Sequence, residues 1–412
     1  MRTQIFINID LLINTRNNNE LLRGKNLSHL PYIRNAYIVI EGNIIAEYGE
    51  MKNFRYQHKQ TTSLPKQTMV MPCWCDSHTH LVFAGSREDE FIDKIKGLSY
   101  AEIAAKGGGI LNSAKKLYDI SEDELFIQSW KRLEEVSKLG TGAIEIKSGY
   151  GLSVEDELKM LRVIKRLKQK SSMVIKSTFL GAHAYPLKYK NDHAGYINSV
   201  INEMLPVIAK EKLADFIDVF CETGFFSASE METICNAGKQ WGLLPKLHVN
   251  QLNSIGGIKK GIELNALSLD HLETLNDDEI SMLGNFNGCA TVLPTAAFFL
   301  RMDYPPVRKL IDANAAVTLA SDYNPGSSPS GNMNFVVALS CIQMKMLPEE
   351  AMNAATINGV YALALENEAG SITVGKKANL IFTKPVPSLA YLAYSFGTNH
   401  IDKVMINGEF VN

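Results

Sequence analysis

A chain of 412 residues, 46 % of them hydrophobic, exceeds one ordinary core and has the apolar material for a large domain with a smaller companion. Its 42 Lys and Arg against 44 Asp and Glu give a net charge of −2, which excludes a basic nucleic-acid face and leaves a small molecule as the expected partner. The six cysteines, at 73, 75, 221, 235, 289 and 341, sit mostly in apolar runs without disulfide-rich spacing and read as reduced thiols of a cytoplasmic protein.

The first stretch alternates Ile5, Phe6, Ile7 and Ile9 with Asn8 and Asp10, which fits a strand and neither a signal peptide nor a membrane span. Strands are expected at 4–9, 37–40 and 44–48, the last two joined as a hairpin across Glu41-Gly42-Asn43. The connection over 14–29, with Asn17-Asn18-Asn19, reads as a solvated loop. From 71 to 366 short apolar strands alternate with helical stretches. Eight strands are expected near 70–77, 142–147, 173–180, 216–221, 244–249, 267–271, 289–293 and 316–321. Between them, Leu158, Leu161, Ile164 and Leu167 recur every three residues within 155–169, the mark of a helix with one buried face. Eight strands with crossover helices predict a closed (β/α)8 TIM-type barrel. Strand-turn-strand character returns at 370–382 and 403–411, so residues 1–70 and 367–412 are expected to form one composite β-sandwich domain around a barrel spanning 71–366.

Candidate chemistry gathers at strand ends. His78 and His80 are two apart, hence on one face of a strand, and two imidazoles at that spacing can grip one cation. His-x-His alone is weak, since two polar histidines at a strand end are commonplace. Here His248 follows the apolar run 243–247, His271 follows 267–269, and Asp322 follows 317–320. Several strands ending in candidate ligands is how a parallel barrel builds a site at its C-terminal face. Three imidazoles and a carboxylate suit a catalytic zinc-like ion with room for water; the competing role for Asp322 is to cap the turn at Asn324-Pro325-Gly326. Gly107-Gly108-Gly109 lacks the Gly-Lys-Ser/Thr of a nucleotide cradle and reads as a flexible βα loop near the barrel mouth. Cys73 and Cys75 have the opposite parity to the histidines and are expected to face the surrounding helices.

Six segments carry a resemblance: Asp76-Ser-His-Thr-His-Leu-Val-Phe-Ala-Gly-Ser-Arg-Glu88, Gly97-Leu-Ser-Tyr100, Gly107-Gly-Gly-Ile110, Glu145-Ile-Lys-Ser-Gly-Tyr-Gly-Leu152, Thr178-Phe-Leu-Gly-Ala-His-Ala184 and Ala320-Ser-Asp-Tyr-Asn-Pro-Gly-Ser-Ser-Pro329. With the strand-end histidines they resemble the metal-dependent amidohydrolase superfamily and, within it, the imidazolonepropionase family of histidine breakdown. The resemblance implies one ion, Zn2+ or Fe3+, on His78, His80, His248 and Asp322, with His271 as a proton shuttle and Asp322 sharing the proton work. It also implies a substrate pocket with Tyr100, Tyr150, His183, Asn324, Gly326 and Ser327, and with Arg87 holding a propionate. By sequence alone Arg87 could equally make an ion pair with Glu88, Asp89 or Glu90.

The implied reaction is hydrolysis of 4-imidazolone-5-propanoate to N-formimino-L-glutamate by a homodimer. One position departs from the pattern: three residues after His248, where a Glu is expected, the chain has Gln251, which cannot exchange a proton at neutral pH. Gln251 either orients substrate or marks impaired activity. Two alternatives therefore stay open. One is another cyclic amidase or deaminase of the superfamily, although a deaminase wants that Glu. A binuclear amidase wants a lysine on the fourth strand, where the chain reads Asp218-Val-Phe-Cys-Glu-Thr223. The other is a catalytically silent ligand-binding barrel.

Overall fold

The computed structural model describes residues 2–18, 20–56, 59–98, 102 and 106–411. Two eight-stranded sheets organise it. The first takes its strands from both chain ends: β1 (Thr3–Ile13), β2 (Tyr32–Glu41), β3 (Ile44–Glu50), β4 (Thr62–Ser63), β5 (Met69–Pro72), and, from the far end, Leu380–Thr383, Ile401–Ile406 and Glu409–Phe410. Alternation decides its two faces. Phe6, Leu12, Ile38, Val70, Leu380 and Phe382 form a core of their own. Leu11, Ile13, Met69, Met71 and Ile381, of the opposite parity, join the core of the barrel. Among the described residues no helix is long and apolar enough to cross a membrane.

The second sheet is the barrel: β6 (Trp74–Asp76), β7 (Thr141–Lys147), β8 (Val174–Ala182), β9 (Phe216–Cys221), β10 (Leu244–Val249), β11 (Ser268–His271), β12 (Cys289–Val292) and β13 (Val317–Leu319), each parallel to the next. Beyond the strand ends, Asp322 N donates to His78 O at 3.0 Å and His80 N to Tyr323 O at 2.9 Å, drawing the last strand to the first. The helix Val154–Lys170 starts on a Ser153 cap and buries Leu158, Leu161, Ile164 and Leu167, as its three-residue spacing predicts. Each such leucine contributes about 1.5–3 kcal/mol of burial.

Three expectations need correction. The strand expected as one run over 70–77 is two, β5 in the terminal sheet and β6 in the barrel, with Cys73 N bonded to Asn379 O at 3.0 Å where the chain changes sheets. Cys75 does pack against Val360 and Leu363 of the helical layer, but the Cys73 thiol faces the terminal sheet, 3.6 Å from Met405 O. The 14–29 connection is solvated only in part: Asn17, Asn18 and Glu20 are exposed, Asn19 lies outside the described residues, and the later stretch is packed. It carries a short turn of 3-10 helix, Gly24–Ser28, buries Leu22 and Leu27, and anchors Arg23 on the carbonyls of Phe286 and Gly284 at 2.7 and 2.9 Å. Those carbonyls lie just before β12, so the segment seals the barrel end away from the site.

Candidate active site

The interior of the barrel is charged where it nears its C-terminal mouth. On β7, Glu145 and Lys147 alternate with Ile144 and Ile146, and Asp218, Lys246 and Asp270 face the same interior, all fully buried. His78 and His80 lie just past the end of β6, His248 within β10 and Asp322 just past β13. His271 ends β11 with a φ of 89°, a left-handed turn that swings it into the mouth; Asn250 (56°), Leu272 (68°) and Asp322 (52°) share that backbone. Such conformations cost non-glycine residues about 1–3 kcal/mol each, and their clustering at one rim fits a site held against local preference.

The rings converge. His78 stands 4.4 Å from His248, 5.5 Å from His80 and 5.7 Å from His271, centroid to centroid. Asp322 Oδ1 is 3.6 Å from Nε2 of both His78 and His80, while its Oδ2 accepts from Ser327 Oγ at 3.0 Å. The turn-capping and ligand readings of Asp322 thus use different oxygens. Two sets of ligating atoms close enough to share an ion result: His78 with His80 and Asp322, and His78 with His248 and His271. His78 donates through Nδ1 to Asp270 at 2.7 Å and His248 likewise to Asp218 at 2.7 Å. Nε2 of His78 is buried with no hydrogen-bond partner, the state of a donor atom built for a cation.

Burial, the neighbouring imidazoles and Lys147 push His78 and His80 far below the usual imidazole range, toward the neutral form that could hold a metal ion. For His271 burial acts in the same direction, but Glu273, 3.3 Å from its Nδ1, together with Asp322 and Asp270 raises the imidazole. Burial lifts Asp322 to about 6. For Asp218 burial is overcome by His248 and Lys147, which hold it well below the carboxylate range.

A cleft of about 590 Å³ opens over this cluster and is lined by Arg87, Tyr150, His183, Gln251, Asn324, Gly326 and Ser327 along with His80, His248, His271 and Asp322. Tyr100 lies outside the described residues. Arg87 makes the ion pair, Nε and Nη2 donating to Glu90 at 2.9 and 2.6 Å, and its side chain also lines the cleft. Glu90 also accepts from Gly109 N at 3.1 Å and Asn112 at 3.0 Å, which fastens the glycine run. Gly326 lets the guanidinium lie against the main chain, since a Cβ there would meet Arg87 Nη1 at 2.2 Å and push it aside. His183 Nδ1 donates to Gly149 O, 2.9 Å away, and burial takes the imidazole down to about 3. Sequence reasoning missed Asp218, Asp270, Lys147 and Glu273. For Asp218, Asp270 and Lys147 the signal was charge inside apolar strands, where a buried partner must compensate it.

Comparison with known proteins extends the likeness over the whole chain. Residues 222–411 match the amidohydrolase family. The imidazolonepropionase of Christiangramia forsetii is 54 % identical over 99 % of this chain and 100 % of its own, and that of Flavobacterium johnsoniae 55 % identical over 94 % of each. Among solved structures, guanine deaminase from E. coli superposes with a TM-score of 0.74 across 100 % of this chain and 99 % of its own, at 13 % identity, a likeness of fold alone. Over half its residues identical to such relatives across nearly its full length, and a histidine–aspartate cluster at the barrel mouth, mean that this chain belongs to the imidazolonepropionase family of amidohydrolases.

Proposed function

We propose that His78, His80, His248 and Asp322 hold one metal ion, Zn2+ or Fe3+, and that the enzyme uses it to hydrolyse 4-imidazolone-5-propanoate to N-formimino-L-glutamate. The observation that carries the metal assignment is the unpartnered Nε2 of His78, whose Nδ1 is satisfied by Asp270 and whose ring faces Asp322 Oδ1. Bound there, such an ion polarises the lactam carbonyl and lowers the pKa of water from about 15.7 to about 7.

The protein's own groups do the rest. Arg87 has Nε and Nη2 engaged by Glu90, and its Nη1 edge turns toward Gly326 and the cleft, free to take the propionate carboxylate. Water adds to the ring carbonyl, its proton passing to Asp322, which burial makes a better base than an exposed carboxylate. The carbon–nitrogen bond then breaks and the leaving nitrogen takes a proton from His271, which recovers one from Asp322 and whose other nitrogen rests on Glu273. With His271, Glu273 and Asp322 at hand, Gln251 is free to orient the ring through its amide, and Tyr150 and His183 wall the pocket. Six free thiols suit a reducing compartment such as the cytoplasm.

The test is a spectrophotometric assay of imidazolone propionate consumption beside hydantoin, dihydroorotate and guanine, with elemental analysis of the same preparation. Imidazolone propionate should be consumed preferentially with one metal equivalent per chain. Two equivalents would overturn the single-ion site, and ligand retention without turnover would return the chain to the silent barrel.

A further inference from the structure

Beneath the histidines lies a charge that the reaction does not use. Lys147, fully buried, donates from Nζ to Asp218 Oδ2 at 2.8 Å and to Glu145 Oε1 at 3.0 Å, and stands 3.8 Å from Asp270 Oδ2. The oxygen of Asp218 that takes the ammonium is the one that takes His248 Nδ1, and the Asp270 oxygen facing it is the one that takes His78 Nδ1. The main chain of the same residue provides a third grip. Lys147 N donates to Thr79 O at 2.9 Å, and Thr79 Oγ1 donates to Glu145 O at 2.6 Å, so the residue between His78 and His80 is tied to the strand that carries the ammonium.

We propose that Lys147 is the positioning residue of the metal centre: its ammonium holds the carboxylates that aim His248 and His78, and its main-chain N–H anchors the His78-Thr79-His80 segment to which His78 belongs. This rests on the assignment of His78, His80, His248 and Asp322 as ligands. The physical reason is local. A carboxylate that accepts from Nδ1 fixes the ring in the tautomer with a free Nε2, and the carboxylate can do so only while it is itself held. Burying Asp218, Asp270 and Glu145 together requires a cation among them, and one placed at their centre sets where each oxygen points. Lys246 supplies a second buried charge but a different role. Its Nζ bonds Ser268 Oγ at 2.7 Å and Ala362 O at 3.1 Å and stands 3.8 Å from Asp270 Oδ2, the same distance as Lys147, but it is Lys147 that bonds Asp218 and Glu145.

That contrast provides the experiment. Metal-free wild type, Lys147→Gln, the charge-balanced pair Lys147→Met with Glu145→Gln, and Lys246→Met are titrated with Co2+ against a competing chelator. The visible spectrum of each cobalt form and the melting temperature of each metal-free form are recorded. Position predicts a loss of about 10–100-fold in Co2+ affinity and an altered cobalt spectrum for both Lys147 variants, with metal-free forms that still melt cooperatively. Lys246→Met should lose far less. Equal losses at Lys147 and Lys246 would reduce the effect to charge counting and overturn the proposal, as would wild-type affinity and spectrum in either folded Lys147 variant. If the Lys147 variants do not fold, nitrogen NMR of metal-free wild type labelled at histidine decides. His78 and His248 must both carry the proton on Nδ1, and an Nε2-protonated ring at either position refutes the arrangement. Failure of the metal assignment looks different: wild type itself would bind no Co2+.

Discussion

Two cavities of similar size lie at opposite ends of the molecule's chemistry. One, of about 590 Å³, opens on the barrel mouth; the other, of about 520 Å³, lies on the terminal sheet between Arg2, Gln60, Pro65 and Lys403. Volume does not separate them. Beneath the first are buried histidines and carboxylates that converge on a few ångströms, with unpartnered ring nitrogens among them. Beneath the second are Phe6 and Phe382, 4.9 Å apart, and the apolar core of the sheet. Convergent buried polarity makes the site, and the terminal sheet contributes stability to it. The barrel interior bears a cluster of charges that an apolar core would not need, which suits a scaffold whose stability is supplied partly elsewhere.

The sharpest way to break this comparison is to cross the roles. His271→Ala should lower kcat by about 10²–10⁴-fold, the usual worth of a positioned proton donor. Its melting temperature should stay near that of wild type, because the ring sits at the rim and its loss leaves the core intact. Phe382→Ala is the mirror image. Truncating a buried aromatic costs about 3–5 kcal/mol, so the protein should unfold at markedly lower denaturant, while kcat of the folded enzyme below the transition holds. A Phe382→Ala enzyme with wild-type stability but lost activity would mean that the two regions are not divided as described.

How much of this was legible beforehand follows the same division. His78, His80, His248, His271 and Asp322 announced themselves because each closes an apolar run, a one-dimensional signal. The carboxylates behind them did not, since their meaning lies in partners far along the chain: Asp270 is 192 residues from His78, and Asp218 is 71 from Lys147. Residues 70–77 looked like a single strand because both observed pieces are buried throughout, and burial on all sides erases the periodicity that would mark a change of partner sheet at Cys73. Leu22 and Leu27 hid among polar neighbours for the opposite reason. Two isolated leucines have no period, yet they and Arg23 clamp the barrel floor. At Arg87 the sequence offered an ion pair or a ligand contact as rivals; the ion pair with Glu90 is present, and it leaves the side chain on the cleft wall.

That junction sharpens the comparison at smaller scale. Arg87→Lys keeps the charge but loses the fork that answers Glu90 on one side and a carboxylate on the other. Weakening of about 1–3 kcal/mol, as for a charge-assisted hydrogen bond, should appear in KM more than in kcat. Unchanged kinetics in this variant would assign Arg87 to structure alone.

The smallest effect is expected where the chain departs from its family's pattern. Gln251 lines the cleft beside His248 and His271, and a neutral amide there can neither take nor give a proton. If His271, resting on Glu273, and Asp322 carry the proton between them, a carboxylate at 251 is dispensable. Gln251→Glu should then retain kcat within about threefold, with any change concentrated in KM, since an anion must replace an amide that both donates and accepts toward the ring. Gln251→Ala should raise KM by about 1 kcal/mol, one neutral hydrogen bond, and leave kcat close to wild type. The pair of variants reads out the proton path. Should Gln251→Glu raise kcat by orders of magnitude, the carboxylate is the missing proton carrier, His271 is a spectator, and the wild-type enzyme is an impaired form of its family; a flat kcat across Gln, Glu and Ala with a fall at His271→Ala leaves the histidine as the donor.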